Sequence, residues 1–225
     1  MSVSASDEVT LATRSVRAER RRRQLLGAAA RLMDRSGSES VSMQALADEA
    51  GVSVGLIYRY FGGKDDLLLA VIVEVLDTFA ERVPAAIEES GDDPARRLAA
   101  AFRTYCEVID EQRHAAVLTY RESRSLTDAG RERIKELEVS TSEPLREILQ
   151  AGIERGTFIA EVDADLVAYN LLLEAHAWAL KHWYFERTLT LDDYVRRQVS
   201  LVLRSLLETR HRRRYSDLLS IASVD

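Results

Sequence analysis

One cysteine, three prolines and ten glycines are all that 225 residues contain of these types. The lone Cys106 excludes an intrachain disulfide and fits a reducing cytoplasm. Scarce proline and glycine leave few helix breakers, and Leu/Ala/Glu/Arg-rich stretches fill the space between them, so the expected fold is all-α. No apolar run approaches the ~18 residues of a membrane-spanning helix, so no membrane partner is expected. The opening MSVSASDEVTLATRS lacks the apolar stretch of a signal peptide. Also missing are a Gly-rich phosphate loop and a G-x-S-x-G turn. His176 and His182 stand six apart, badly placed to share a metal on one helix, and His114 and His211 are isolated. Cys106 falls on an apolar helical face with no His nearby in sequence, as a packed core thiol does. Neither an enzyme nor a bound metal or cofactor is expected. With 46% hydrophobic and 30% charged residues, the chain should fold rather than stay disordered.

What is present concentrates in residues 42–67, SMQALADEAGVSVGLIYRYFGGKDDL. Ser42 can cap a first helix whose Met43, Leu46, Ala47 and Ala50 form one apolar stripe. Gly51 follows where a left-handed turn residue ends a helix. Ser53 can cap a second helix that buries Ile57, Tyr60 and Phe61. Ala47, Gly51 and Ile57 therefore outline a helix-turn-helix, which places its second helix in a DNA major groove. A plain αα-hairpin shares that skeleton. Tyr58, Arg59, Tyr60 and Phe61, then Gly62-Gly63-Lys64-Asp65-Asp66-Leu67 opening a third helix, favour DNA. Lys64 and the nearby backbone N–H groups can meet a phosphate.

The run VSMQALADEAGVSVGLIYRYFGGKDDLLLAVI resembles the N-terminal domain of the TetR family of bacterial transcriptional regulators, over roughly residues 20 to 75. The family pattern is an aromatic-x-aromatic-Phe run, a short polar pair and Lys-acidic-acidic-Leu. The chain departs from it at Val54, Leu56 and Gly62, on the face that reads DNA. The resemblance implies a homodimer that binds a palindromic double-stranded DNA operator. Residues 54 to 60 would enter the major groove, Arg59 or Gly55 nearest the bases, with Val54 beside them. Tyr58 and Tyr60 would contact phosphates. Ser42, Ser53 and Lys64 would hold the backbone, and Met43 belongs to the same DNA-binding set.

Charge is split along the chain. The whole carries −6, yet residues 1 to 64 hold ten Lys/Arg against seven Asp/Glu, a surplus of three cations. An acidic body with a basic end suits a protein of which only that end touches phosphates. The arginine run at 20–23 reads either as a solvated helix start or as an arm on the DNA backbone or minor groove, with Arg22 a contact. Residues 1–16 are expected to form a disordered arm, 17–63 the DNA-binding domain, 64–210 a helical ligand-binding and dimerisation domain, and 211–225 a solvated tail.

The body reads as successive helices, with breaks at Pro84 and at Ser90-Gly91-Asp92-Asp93-Pro94 and a kink at Pro144. The stretch 164–183 is apolar around most of its circumference, and the stretch from Tyr194 to Leu206 repeats Val195, Val199, Val202 and Leu203 at helical spacing. Such helices can bury one face in the body and another against a second copy. Intrachain core is the other reading.

Candidate effector residues are Phe102, Tyr105, Tyr120, Arg121, Arg124, Glu174, His176 and Trp178. Arg121 either orients an anionic head group in a greasy cavity or pairs with a glutamate. The cluster His176–Lys181-His182-Trp183-Tyr184 resembles a branch of the family linked to fatty-acid or steroid catabolism. That implies a hydrophobic, acyl-CoA-like effector. The alternative to a ligand-released repressor is a helical small-molecule-binding protein or enzyme without sequence-specific DNA binding.

Overall fold

The computed structural model describes residues 5–221. In chain order the helices are α1 (Ala5–Ser36), α2 (Met43–Ala50), α3 (Val54–Phe61), α4 (Lys64–Glu89), α5 (Pro94–Glu111), α6 (Arg113–Arg121), α7 (Asp128–Glu154), α8 (Ala164–Leu180), α9 (His182–Phe185), α10 (Leu191–Leu206) and α11 (Ser216–Leu219). Three tighter 3-10 turns lie at Ser38–Ser40, Ser123–Ser125 and Thr209–Tyr215. Among the described residues no strand forms; Phe158 and Leu207 make one isolated bridge. None of the described helices is long and apolar enough to cross a membrane.

Helices α1 to α3 form the amino-terminal unit. The α1 face bearing Leu25, Leu26, Ala29 and Met33 is buried against Leu46, Ala47, Ile57 and Phe61. Leu67, Leu68 and Val71 of α4 extend the same cluster, and α4 then runs on into the body as Val75, Phe79 and Val83. One helix is thus shared by both halves. Helices α5, α6 and α7 pack on α4, and α8 and α10 pack in turn on α5.

Three expectations are corrected. The segment 1–16, read as a disordered arm, is helical from Ala5 onward; residues 1–4 lie outside those described. Pro84, read as a break, does not stop its helix; Pro144, read as a kink, likewise lies within one helix. Pro84 sits inside α4 and Pro144 inside α7. Each costs its helix about 3 kcal/mol. The neighbours Val83 in α4, and Leu145, Ile148 and Leu149 in α7, are buried and return about 1.5–3 kcal/mol apiece. The segment from 211 onward is packed, not a solvated tail. Tyr215 and Leu219 are buried, the Tyr215 hydroxyl donates to Asp93 at 2.8 Å, and Arg214 pairs with the same carboxylate. Ser200 and Arg204 of α10 donate to the Leu219 carbonyl, and Arg96 of α5 pairs with Asp217. Residues 222–225 lie outside those described.

Candidate nucleic-acid interface and ligand-binding core

The amino-terminal motif is built by local chemistry. The Ser42 hydroxyl accepts the Ala45 N–H at 3.0 Å and starts α2. Gly51 adopts φ 62°, ψ 42°, the left-handed conformation that a side chain resists, and turns the chain. The Ser53 hydroxyl accepts the Leu56 N–H at 3.3 Å and starts α3. Ile57 and Phe61 of α3 are buried, whereas Gly55, Tyr58, Arg59 and Gly62 are exposed. Those four recur at helical spacing and make one outward face beside the caps. Asp66 accepts the Gly63 N–H at 3.2 Å and fixes the start of α4, where Lys64 stands.

Not every expected contact lies on that face. Met43 belongs to the buried side of α2, and Val54 and Tyr60 are half-buried against the core. Met43 therefore does not belong to the exposed face, since its side chain is buried in the core. Arg22 is elsewhere too. Its guanidinium donates to Glu74 at 2.8 Å, and Glu74 lies ten residues along α4 from Lys64, about 15 Å of helix. Tyr58 is 51% exposed and supports nothing beneath it. Tyr58→Ala should accordingly leave the melting temperature within ~1 °C, in line with the small stability effects of surface substitutions. The same change should weaken binding to a specific DNA site; a melting curve beside a DNA titration separates the two.

Two sets of polar contacts tie the motif to the body. Arg22 and Arg23 of α1 both reach Glu74, and Arg23 also pairs with Glu81. Burial pushes the Glu74 carboxyl up, against the downward pull of both arginines. On the other side Asp34 receives Arg121 at 2.9 Å and lies 2.7 Å from His114 Nδ1, both from α6. Ser38 donates to Glu122 at 2.5 Å. Arg121 is thereby removed from the effector set, because its partner is an aspartate of α1. Arg124 is exposed and lines a surface groove with Lys64 and Asp65, so it too lies away from any body cavity.

Among the remaining effector candidates, the structure brings together Tyr105, Tyr120 and His176. Phe79 of α4 links them: its ring centroid is 5.0 Å from Tyr105 and 6.3 Å from His176, and Tyr120 lies edge-on to His176 at 5.5 Å. Tyr105 donates to the Thr141 carbonyl of α7. Phe102 faces another way, into a crevice with Leu98, Leu171 and Val199. Trp178 donates to Asp110 at 2.7 Å and joins a separate aromatic stack with Phe185 and Tyr194. Glu174 is half-buried, one carboxylate oxygen lacks a partner, and burial pushes its carboxyl up. Burial likewise pushes the Cys106 thiol far up, which keeps it protonated and inert.

His176 has its Nδ1 2.8 Å from the Leu172 carbonyl, and burial lowers its pKa from 6.5 despite that hydrogen bond. The unfolded chain therefore takes a proton first as pH falls. The stability this neutral ring contributes is complete above about 6.5 and is lost as pH drops from there through the folded-state value. Between pH 6.5 and 5 the melting temperature should fall more steeply for the parent than for His176→Gln. Parallel curves would refute the assignment.

A small chamber of about 50 Å³ adjoins this aromatic group, lined by Phe79, Tyr105, Ala80, Pro84, Ser140 and Pro144 among others. An outer groove of about 540 Å³ shares Pro84 and Pro144 with it and adds Arg97, whose Nε is buried without a partner. Helix α8 buries Ala168, Leu171, Leu172, Ala175 and Trp178 yet exposes Leu166 (57%), Tyr169 and Leu173 (56%). Leu201 of α10 is 64% exposed.

The model described as bacterial regulatory proteins, tetR family, matches residues 25–71, and that of the tetracyclin repressor-like C-terminal domain matches 91–206. The chain is 39% identical over 189 residues to the HTH-type transcriptional regulator HbdR of Aromatoleum sp. (strain CIB), spanning 84% of this chain and 82% of that one. It is 30% identical over 190 residues to the HTH-type transcriptional repressor KstR2 of Rhodococcus jostii (strain RHA1), spanning 83% and 91%. The crystal structure of AibR in complex with isovaleryl coenzyme A and operator DNA shares the fold, with a TM-score of 0.67 at 24% identity over 80% of this chain and 97% of that one.

Proposed function

The chain belongs to the TetR family of bacterial regulatory proteins, and from this footing we propose that it is a repressor released from its operator by an acyl-thioester-like effector. The observation that carries the DNA half is the outward face of α3. Gly55, Tyr58 and Arg59 stand clear of the core between two serine caps and Lys64, a compact set of donors for a groove and its phosphates. The division at about residue 64 follows the same reading, with α4 as the shared element.

A palindrome needs two such faces. The apolar face of Leu166, Tyr169 and Leu173 on α8, continued by Leu201 on α10, suits a two-fold pairing of α8 and α10 with their copies. The two α3 helices must then lie ~34–36 Å apart, or a multiple of it, to meet successive major grooves. An effector among Phe79, Tyr105 and His176 would press on α4 directly. The α6 ties at Asp34 and Ser38 would carry the same displacement to α1, and the spacing of the recognition helices would change.

The effector class rests on likeness to a regulator solved with isovaleryl coenzyme A and on a greasy, aromatic chamber with a large outer groove. The test is a gel shift of the chain's own upstream region at moderate salt, with and without a series of acyl-CoA thioesters. A shift that thioesters abolish supports the reading. No shift with any upstream fragment would return the molecule to the class of helical ligand carriers.

A further inference from the structure

A groove of about 470 Å³ opens between the start of α4 and the turn that joins α6 to α7. Ser38, Lys64, Asp65 and Leu68 line it from one side, Arg124 and Ser125 from the other. The first side begins two residues past Gly62, the last member of the outward face of the motif. The second side belongs to the body. Its 3-10 turn, Ser123–Ser125, is pinned to the motif, because Arg121 donates to Asp34 at 2.9 Å and Ser38 donates to Glu122 at 2.5 Å. The Ser125 N–H donates to the Glu122 carbonyl at 3.0 Å, and Arg131 donates to the Leu126 carbonyl at 2.6 Å, so both ends of the turn are fixed. Arg124 stands between them with its side chain exposed. Arg35 and Arg121, at the same junction, are held by Glu49 and Asp34. Arg124 has no ion-pair partner among the described residues. The carboxylates nearby are engaged: Glu122 accepts from Ser38, Asp66 from the Gly63 N–H, and Asp128 pairs with Arg131. The groove itself therefore carries two cations, Lys64 and Arg124, against the single carboxylate of Asp65.

We propose that Arg124 is a DNA-backbone contact supplied by the body: it meets a phosphate neighbouring the one held at Lys64 and extends the α3 footprint across the junction. The inference rests on the reading of α3 as the DNA-binding face and adds to it a residue outside the helix-turn-helix. A polyanion is the partner that suits a surplus of fixed cations in an open groove continuous with that face. Such a contact carries no sequence information; it sets orientation and adds affinity. It also puts one DNA contact on the turn that follows α6. An effector that displaces α6 then withdraws this contact as well as moving α3.

The test is fluorescence anisotropy across a salt series with two labelled duplexes, the chain's own upstream region and a scrambled duplex of equal length. Each phosphate neutralised steepens the fall of log K with log salt by about 0.9. With one arginine per subunit of a two-fold pair, Arg124→Gln should flatten that slope by about 1.8 and weaken binding roughly fivefold at moderate salt. Both duplexes should show it alike. Arg124→Lys keeps the charge and should keep most of the slope. Arg213→Gln controls for net charge: Arg213 is exposed beside the Arg214–Asp93 pair, past the end of α4 remote from Lys64, and its loss should leave the slope unchanged. None of the three changes should move the melting temperature by more than ~1 °C. An unchanged slope in Arg124→Gln overturns the contact and leaves the DNA reading standing. Equal flattening in Arg213→Gln does the same, since it reports the field of the whole molecule. Weakening confined to the upstream duplex would make Arg124 a reader of bases and overturn the backbone role. If the parent binds neither duplex, the DNA reading and the contact fall together.

Discussion

Leu173→Glu should turn the protein into a monomer and weaken operator binding at least a hundredfold. In one chain Leu173 faces solvent, so a glutamate there costs nothing and should leave helical content and melting of the separated chain intact. In a two-fold assembly the same position meets its own copy or the neighbouring Leu166 and Tyr169, and two carboxylates enter an apolar seam together. Burying an unpaired charge costs several kcal/mol, and the symmetry applies that cost twice. Separated chains then hold one half-site each, forfeiting the ~10²–10⁴-fold gain that linkage of two weak contacts provides. Sedimentation and a DNA titration on the same sample check both halves. A variant that stays dimeric and binds as before would place the seam elsewhere.

Glu74→Ala should be the most damaging single change at the junction of the two units. Its side chain is 11% exposed and takes both Arg22 and Arg23. Without it two guanidinium groups face an emptied, part-buried site. Breaking a fully buried pair this way costs ~3–5 kcal/mol; since Arg22 and Arg23 are 29% and 53% exposed, screening brings the expected loss to about 2 kcal/mol. For a chain of this size that lowers Tm by roughly 4–8 °C. Glu74→Gln keeps an acceptor for Arg22 and removes the carboxylate that burial disfavours, so it should lose distinctly less. Equal losses for the two variants would show that the site acts through packing alone.

How much of this was legible in the sequence depends on how far apart the interacting residues stand. The caps at Ser42 and Ser53 and the turn at Gly51 act on neighbours three to five residues away, so the motif reads directly from the chain. The fate of Arg22 does not, because its carboxylate partner is 52 residues on. Arg121 looked available for a ligand until Asp34, 87 positions earlier, was brought beside it. Met43 shows a subtler failure: helical spacing gave it both a core role and an interface role, and only packing decides. Pro84 was read as a break because local propensity knows nothing of Val83, whose burial carries the helix through. The arginines at 210 and 212–214 are exposed, as their charge suggests; what the sequence hid is Tyr215, whose partner Asp93 stands 122 residues earlier in the chain.

That carboxy-terminal clasp has a practical consequence. The matched C-terminal domain ends at residue 206, yet the fold closes only after Leu219 has received Ser200 and Arg204, and Tyr215 has reached the first turn of α5. An expression fragment trimmed at the family boundary would leave Ser200 without its acceptor and Asp93 without its phenol, beneath the helix proposed to face a second subunit. Anyone shortening the gene, or fusing a reporter inside 207–220, should expect loose α10 ends and misleading oligomer measurements.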